Sequence, residues 1–155
     1  MHGKKATTRG FTLIEILVVI GMIALLATVV LVAINPGRQF AQARNAQRES
    51  HVNTILNALG QHLADNKGVA IAASNCTGLS TVPDDTPRQI GTGAVNLGCL
   101  VPTYLPTAIP VDPTGGTAAD TLYTITASTS GRYTVCAPLH AEAAISGSAA
   151  YCLSR

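Results

Sequence analysis

The residue in this chain most out of place for ordinary packing is a single carboxylate, Glu15, set just inside the front edge of a long apolar run. From Ile16 to Ile34 no residue is charged, and only Gly21 and Thr28 interrupt aliphatic side chains and Met22. Those 19 residues, wound as helix, rise roughly 28 Å, about the hydrocarbon thickness of a bilayer. Three cations, Lys4, Lys5 and Arg9, precede the run and no acid does, a charge pattern that leaves the basic end in the cytoplasm. A carboxylate inside a membrane segment costs a few kcal/mol and calls for a partner.

Other chemistry-bearing residues are scattered. His51 and His62 lie eleven apart, on one helix face but three turns from each other, too distant to share a metal. His140 has one nearby acid, Glu142, and each of the three histidines reads as a solvated surface group rather than a catalytic one. No serine stands in a nucleophile motif, and Gly91-Thr92-Gly93 lacks the strand-to-helix setting of a phosphate loop. No active site, cofactor site or metal site is expected, so the reading is of a protein that is not an enzyme.

Four cysteines, Cys76, Cys99, Cys136 and Cys152, fall in the half expected outside the cytoplasm, where an even number reads as two disulfides. They contain no Cys-x-x-Cys pair, which argues against zinc. Of the three pairings, Cys76–Cys99 with Cys136–Cys152 is favoured because each closes a short loop. From Arg38 onward seven Lys and Arg balance seven Asp and Glu, so the net charge of +2 resides in the first residues. A neutral exported part with few aromatics offers no electrostatic case for strong nucleic-acid binding.

These groups must be positioned by a small number of elements. The apolar run predicts one helix, interrupted near Asn35-Pro36-Gly37, where Pro36 lacks a donor and Gly37 loosens the backbone. Helix resumes from about Arg38 to Asn66, with Val52, Ile55, Leu56, Leu59 and Leu63 on one stripe and Arg44, Arg48, Glu49 and Gln61 facing solvent or neighbouring subunits. Gly68 suits the left-handed position after the last turn. Residues 69–118, rich in Pro, Gly, Thr and Asp, predict a surface loop holding one short strand or turn. Leu122–Ala127 and Arg132–Ala137 alternate apolar and polar around Ser128-Thr129-Ser130-Gly131 and predict an antiparallel hairpin, with Tyr123, Ile125, Tyr133 and Val135 on the core face. A terminal strand near Ala149–Leu153 would bring Cys152 to Cys136. The class is α+β, one helix covering a small antiparallel sheet.

Gly10-Phe11-Thr12-Leu13-Ile14-Glu15, with the short basic leader before it and the apolar run after it, closely resembles the cleavage and methylation motif of type IV prepilins and type II secretion pseudopilins. The resemblance implies the pilin fold and cleavage by prepilin peptidase at Gly10–Phe11, followed by N-methylation of Phe11. An ordinary secretory signal is cut beyond its apolar segment; a cut here leaves the apolar helix attached. The new amine of Phe11 would then pair with Glu15 of a neighbouring subunit, making Glu15 an assembly register. An uncleaved anchor, with Glu15 reaching to the headgroups, is the plainer alternative.

The resemblance further implies a leader at 1–10, a transmembrane and assembly half of the helix at 11–35, and a periplasmic or extracellular head at 36–155. Pro36 and Gly37 mark the expected helix break, and Cys136–Cys152 resembles the C-terminal disulfide loop of pilins. The expected product is a homopolymer, a type IV pilus of which this chain is a major subunit, held first in the inner membrane and then displayed on the cell surface. A platform protein and an assembly ATPase are the implied partners. The alternatives are a type II secretion pseudopilin or a minor pilin for adhesion or DNA uptake. Pseudopilins bind calcium near an Asp-Pro turn comparable to Val111–Gly116; Asp112 and Asp120 are the residues that would serve, although the segment reads first as a plain turn.

Overall fold

The first helix, α1, spans Leu13–Ala33, 21 residues with no buried side chain. Its polar Thr28 donates its hydroxyl hydrogen to the Ala24 carbonyl at 2.8 Å, so the apolar stretch exposes no unpaired hydroxyl. The structure, a computed structural model, describes residues 10–68 and 85–155. Cys76 lies outside them, as does most of the first half of the 69–118 loop.

α1 ends where Asn35 enters the left-handed region (φ 39°). α2 then runs over Pro36–Asp65, 30 residues. The sequence places the interruption at Asn35-Pro36-Gly37; the helix breaks at Ile34–Asn35, and Pro36 and Gly37, singled out as the break, lie in the first turn of α2. Proline at the first helical position loses nothing, because that N–H has no helical acceptor and the fixed φ already suits the helix. Asn35 caps the start of α2: its side-chain oxygen and its carbonyl both accept from the Arg38 N–H. α2 stops as the spacing predicts, with the N–H of Gly68 (φ 79°) closing on the Leu63 carbonyl at 2.7 Å.

Contacts divide the chain into two units, Met1–Gln39 and Phe40–Arg155. Within the second, α2 from Phe40 onward lies on a four-stranded antiparallel sheet of sequential order: β1 (Arg88–Gln89), β2 (Thr124–Ala127), β3 (Tyr133–Ala137) and β4 (Tyr151–Ser154). The predicted hairpin is β2–β3, with Ile125 opposite Val135 and Thr126 opposite Thr134. Val52, Ile55, Leu56 and Leu59 of α2 meet Tyr123, Ile125 and Val135 in one buried cluster, with Leu63 and Tyr133 packed at its margin. Each aliphatic side chain so buried contributes about 1.5–3 kcal/mol. Ile90, Val95, Leu97, Leu100 and Leu105 close the cluster from the loop before β2.

Gly91 belongs to that closure. A Cβ there would overlap the Ala119 carbonyl, and the neighbouring Thr92 and Gly93 amides donate to Ala118 and Ala119. The Gly-Thr-Gly segment is thus a close backbone crossing in the loop.

The opposite face of the sheet carries the disulfide. Cys136 and Cys152 face each other in the β3–β4 register and are bonded. Cys99 is also disulfide-bonded, and Cys76, its expected partner, falls outside the described residues. The architecture is the α+β arrangement of a pilin: a long apolar N-terminal helix and a small antiparallel sheet with a C-terminal disulfide. Because the Cys136–Cys152 link spans a sequence separation of 16, replacing both by serine removes about 3 kcal/mol of unfolding free energy. Urea unfolding of the detergent-solubilised chain measures this; an unchanged midpoint contradicts it.

Candidate assembly site

The front of α1 is built by Thr12. Its backbone is extended (φ −83°, ψ 151°) and its hydroxyl accepts the Glu15 N–H at 3.3 Å, while the Glu15 carboxylate accepts both the Thr12 N–H and the Thr12 hydroxyl at 2.8 Å. This reciprocal capping box gives the lone carboxylate three local functions: it caps the helix, it sits at the positive end of the helix dipole, and its charge is hydrogen-bonded at the front of the apolar run. Gly10 and Phe11 precede it in exposed, non-helical backbone, with Phe11 85% exposed. The Gly10–Phe11 bond is thus accessible and lies directly before a capped helix.

Behind Glu15 the helix presents Ile16, Leu17, Val18, Val19, Ile20 and the rest of the run entirely to its surroundings. An uninterrupted apolar rod of this length and composition meets the requirement for a membrane span, and among the described residues of its unit nothing covers it. Its chemistry is limited to burying surface and to whatever finds Glu15.

In the second unit the structure corrects the expected solvent face of α2. Arg48 is 1% exposed. Its Nε donates to Asp112 Oδ2 at 2.7 Å, its Nη2 to Asp112 Oδ1 at 3.2 Å and to Thr114 Oγ1, and its Nη1 to Glu142 Oε1 at 2.6 Å and Asn45 Oδ1 at 2.9 Å. Arg44, half-buried, adds a two-pronged contact to Glu142 at 2.7 and 2.9 Å. Glu142, read from sequence as a lone surface acid beside His140, is instead shared by two guanidinium groups. Glu49 and Gln61 are exposed, as the sequence suggests.

Burial penalises a buried cation heavily, and the fork of a guanidinium meets two carboxylates and two further acceptors here, so the charge is compensated. Hydrogen bonds from Arg44 and then Arg48 hold the Glu142 carboxyl down to about 2. Asp112 would be raised by its burial, but the Arg48 and Thr114 bonds outweigh this and keep it below the ordinary carboxylate range. Asp112 also accepts the Thr114 N–H, and its carbonyl accepts the Gly116 N–H at 3.0 Å. Gly116 is required, since a Cβ would overlap the Asp112 backbone.

The remaining candidates take structural places. His51 Nδ1 meets the Tyr123 hydroxyl at 2.9 Å, and burial pushes this histidine down. His62 lies buried against Tyr104, its ring edge-on at a centroid distance of 5.4 Å, with Nε2 4.0 Å from Cys99 Sγ. His51 and His62 do not come together. Asp120 Oδ1 accepts the Leu122 N–H within its own turn. Among the described residues, no three His, Cys, Asp or Glu side chains gather where they would hold a metal ion.

Residues 5–31 match the family model described as the prokaryotic N-terminal methylation motif. No curated protein and no solved structure matches the chain. The motif, the apolar helix it opens and the α+β head support placing this chain with the type IV pilins and pseudopilins, a structural family. The motif implies processing by a prepilin peptidase and polymerisation in general, and with one N-terminal apolar helix it fits an inner-membrane precursor.

Two predictions follow from the ion cluster. Arg48→Ala strands Asp112 as an unpaired buried charge and costs about 3–5 kcal/mol; thermal or urea unfolding that matches wild type contradicts the assignment. Because the Glu142 carboxyl is lowered in the folded chain, its contribution is fully present above about pH 4.5 and is lost as pH falls toward about 2. Glu142→Gln should therefore flatten the acid limb of the stability curve and lower stability at neutral pH.

Proposed function

We propose that this chain is a major structural subunit of a type IV pilus. One observation carries the reading: a fully exposed apolar helix whose only carboxylate, Glu15, stands directly behind Gly10–Phe11. Residues 1–10 serve as leader, 11–35 as membrane anchor and assembly half, and 36–155 as the head. Prepilin peptidase cuts Gly10–Phe11 and the Phe11 amine is methylated.

Before assembly Thr12 satisfies Glu15 within its own chain. In the fibre the amine of Phe11 on an adjacent subunit pairs with Glu15, which fixes the register, and apolar helices replace lipid around α1. A platform protein and a cytoplasmic ATPase extract the subunit from the inner membrane, and the heads cover the surface of an extracellular filament. The pilin reading is favoured over the pseudopilin alternative by the head. It has a C-terminal disulfide, and Asp112, which a calcium loop there would need, is committed to Arg48 and Thr114.

Glu15→Val should leave membrane insertion unchanged and reduce sheared surface filaments by more than about tenfold, because every subunit addition loses its charge partner. Mass spectrometry of the sheared fraction should find the chain as its dominant protein, beginning at a methylated Phe11. Normal fibres from Glu15→Val sink the register; recovery of the chain with residues 1–10 attached sinks the processing.

A further inference from the structure

The exposed sides of α2 carry two features that the fold of the head does not use, one a projection and the other a hollow. Among the described residues of the second unit, Phe40 and Leu139 are the large apolar side chains left exposed, and Phe40, the bulkier, is 66% exposed. The hollow lies between α2 and the β2–β3 turn and measures about 140 Å³. Buried Leu56 and Leu59 form its floor, and half-buried Leu63 and Tyr133 stand at its sides. An apolar cavity of about 150 Å³ accepts a benzene ring, so the hollow has the size of one phenyl group. Arg155 stands at the rim, its guanidinium donating to Asn57 Oδ1 on α2. A cation there attracts the face of an aromatic ring, an attraction that the aliphatic Leu139 does not return.

Two glycines keep the hollow open, Gly60 on α2 and Gly131 in the turn. Gly131 (φ 79°) is explained by its backbone. Gly60 is not. It lies inside α2, where glycine weakens a helix relative to alanine, and a Cβ there meets nothing within 4 Å. The packing of the chain itself therefore accepts a side chain at position 60; what the missing side chain preserves is the mouth of the pocket. Phe40 cannot fill it within one chain. The ring and the mouth are 20 residues apart on one helix, which sets them about 30 Å apart along its axis and about 200° apart around it.

We propose that in the fibre the Phe40 ring of one subunit seats in the Gly60 pocket of the next, a second copy of this chain. The contact rests on the fibre reading given above and adds a seam between heads to the packing of α1. Copies drawn from one bilayer share an orientation. With the ring on one flank of α2 and the pocket on the other, neighbours side by side in that common orientation bring the two together. The pairing uses different surfaces on its two partners. Each added copy therefore still presents one free ring and one free pocket, and growth stays open.

The test is cross-linking within sheared filaments of the full chain. The double variant Phe40→Cys, Gly60→Cys, treated with a short bismaleimide, should give a ladder of covalent dimers, trimers and longer products, and each single variant should give none. Among the described residues no native cysteine is free to react. Two further variants read the contact without added thiols: Phe40→Ala empties the pocket and Gly60→Leu closes it. Filaments of either should release subunits into dilute detergent about tenfold faster than wild type, as loss of a buried aromatic anchor requires. Gly60→Leu should also raise the urea midpoint of the chain, because leucine favours the helix and its Cβ meets no neighbour, so faster release is not a folding defect. Filaments of the double variant that yield no ladder, or release from Phe40→Ala and Gly60→Leu filaments at the wild-type rate, overturns the contact and leaves the pilus reading standing. Absence of the wild-type chain from sheared filaments overturns both.

Discussion

The apolar surface of α1 has no partner among the described residues of its own unit. Twenty-one residues of helix leave every side chain uncovered, and water would penalise that area at roughly 25 cal/mol for each Å². The helix must therefore lie in something apolar at every stage of the protein's life. A bilayer meets this condition for one chain, and a bundle of equivalent helices meets it for many. The capping box at Thr12 and Glu15 belongs to the same constraint: with no water to bond the first amides, the chain supplies an acceptor from its own third helical residue, and in doing so keeps a carboxylate at the position where an apolar side chain would otherwise stand.

The head answers a different constraint. It is poor in aromatics and builds its core from small aliphatics on α2 and the sheet, so the segments outside the sheet are fastened by polar means. Arg48 does most of this. One guanidinium joins the middle of α2, the turn at Asp112–Thr114 and the start of the C-terminal loop at Glu142. Hydrophobic burial would have held these segments without direction; the planar fork fixes their relative placement. The cost is desolvation of three charges, offset only while all of the partners are present.

How much of this was legible depended on distance along the chain. The apolar N-terminal helix, the β2–β3 hairpin and the stop at Gly68 are written in patterns of a few adjacent residues, and they appear where those patterns put them. The helix break falls at the front of the expected Asn35-Pro36-Gly37 interruption, because Pro36, just after Asn35, opens α2 rather than breaking a helix. Arg48, placed off the stripe that begins at Val52, is expected to face solvent or neighbouring subunits. Yet Ala41, Asn45, Arg48, Val52, Ile55 and Leu59 recur at steps of four and three, and all six are buried. Extending the apolar stripe toward the N-terminus would have flagged a buried arginine. Its carboxylates would still have been unreadable, since Asp112 and Glu142 lie 64 and 94 residues away. Likewise β1 has two residues, too few to carry an alternation.

The C-terminal loop is fixed at its root by Glu142 and closed at its neck by Cys136–Cys152, while Ala143, Ala144 and Gly147 between these points are exposed. Attachment and content are therefore separate in this part of the chain. The segment behaves like a mounted frame whose picture is exchangeable: its short stretch of small residues can be rewritten or lengthened, giving the outer surface a new chemical character, while the helix, the sheet and the ionic fastening beneath remain as they are.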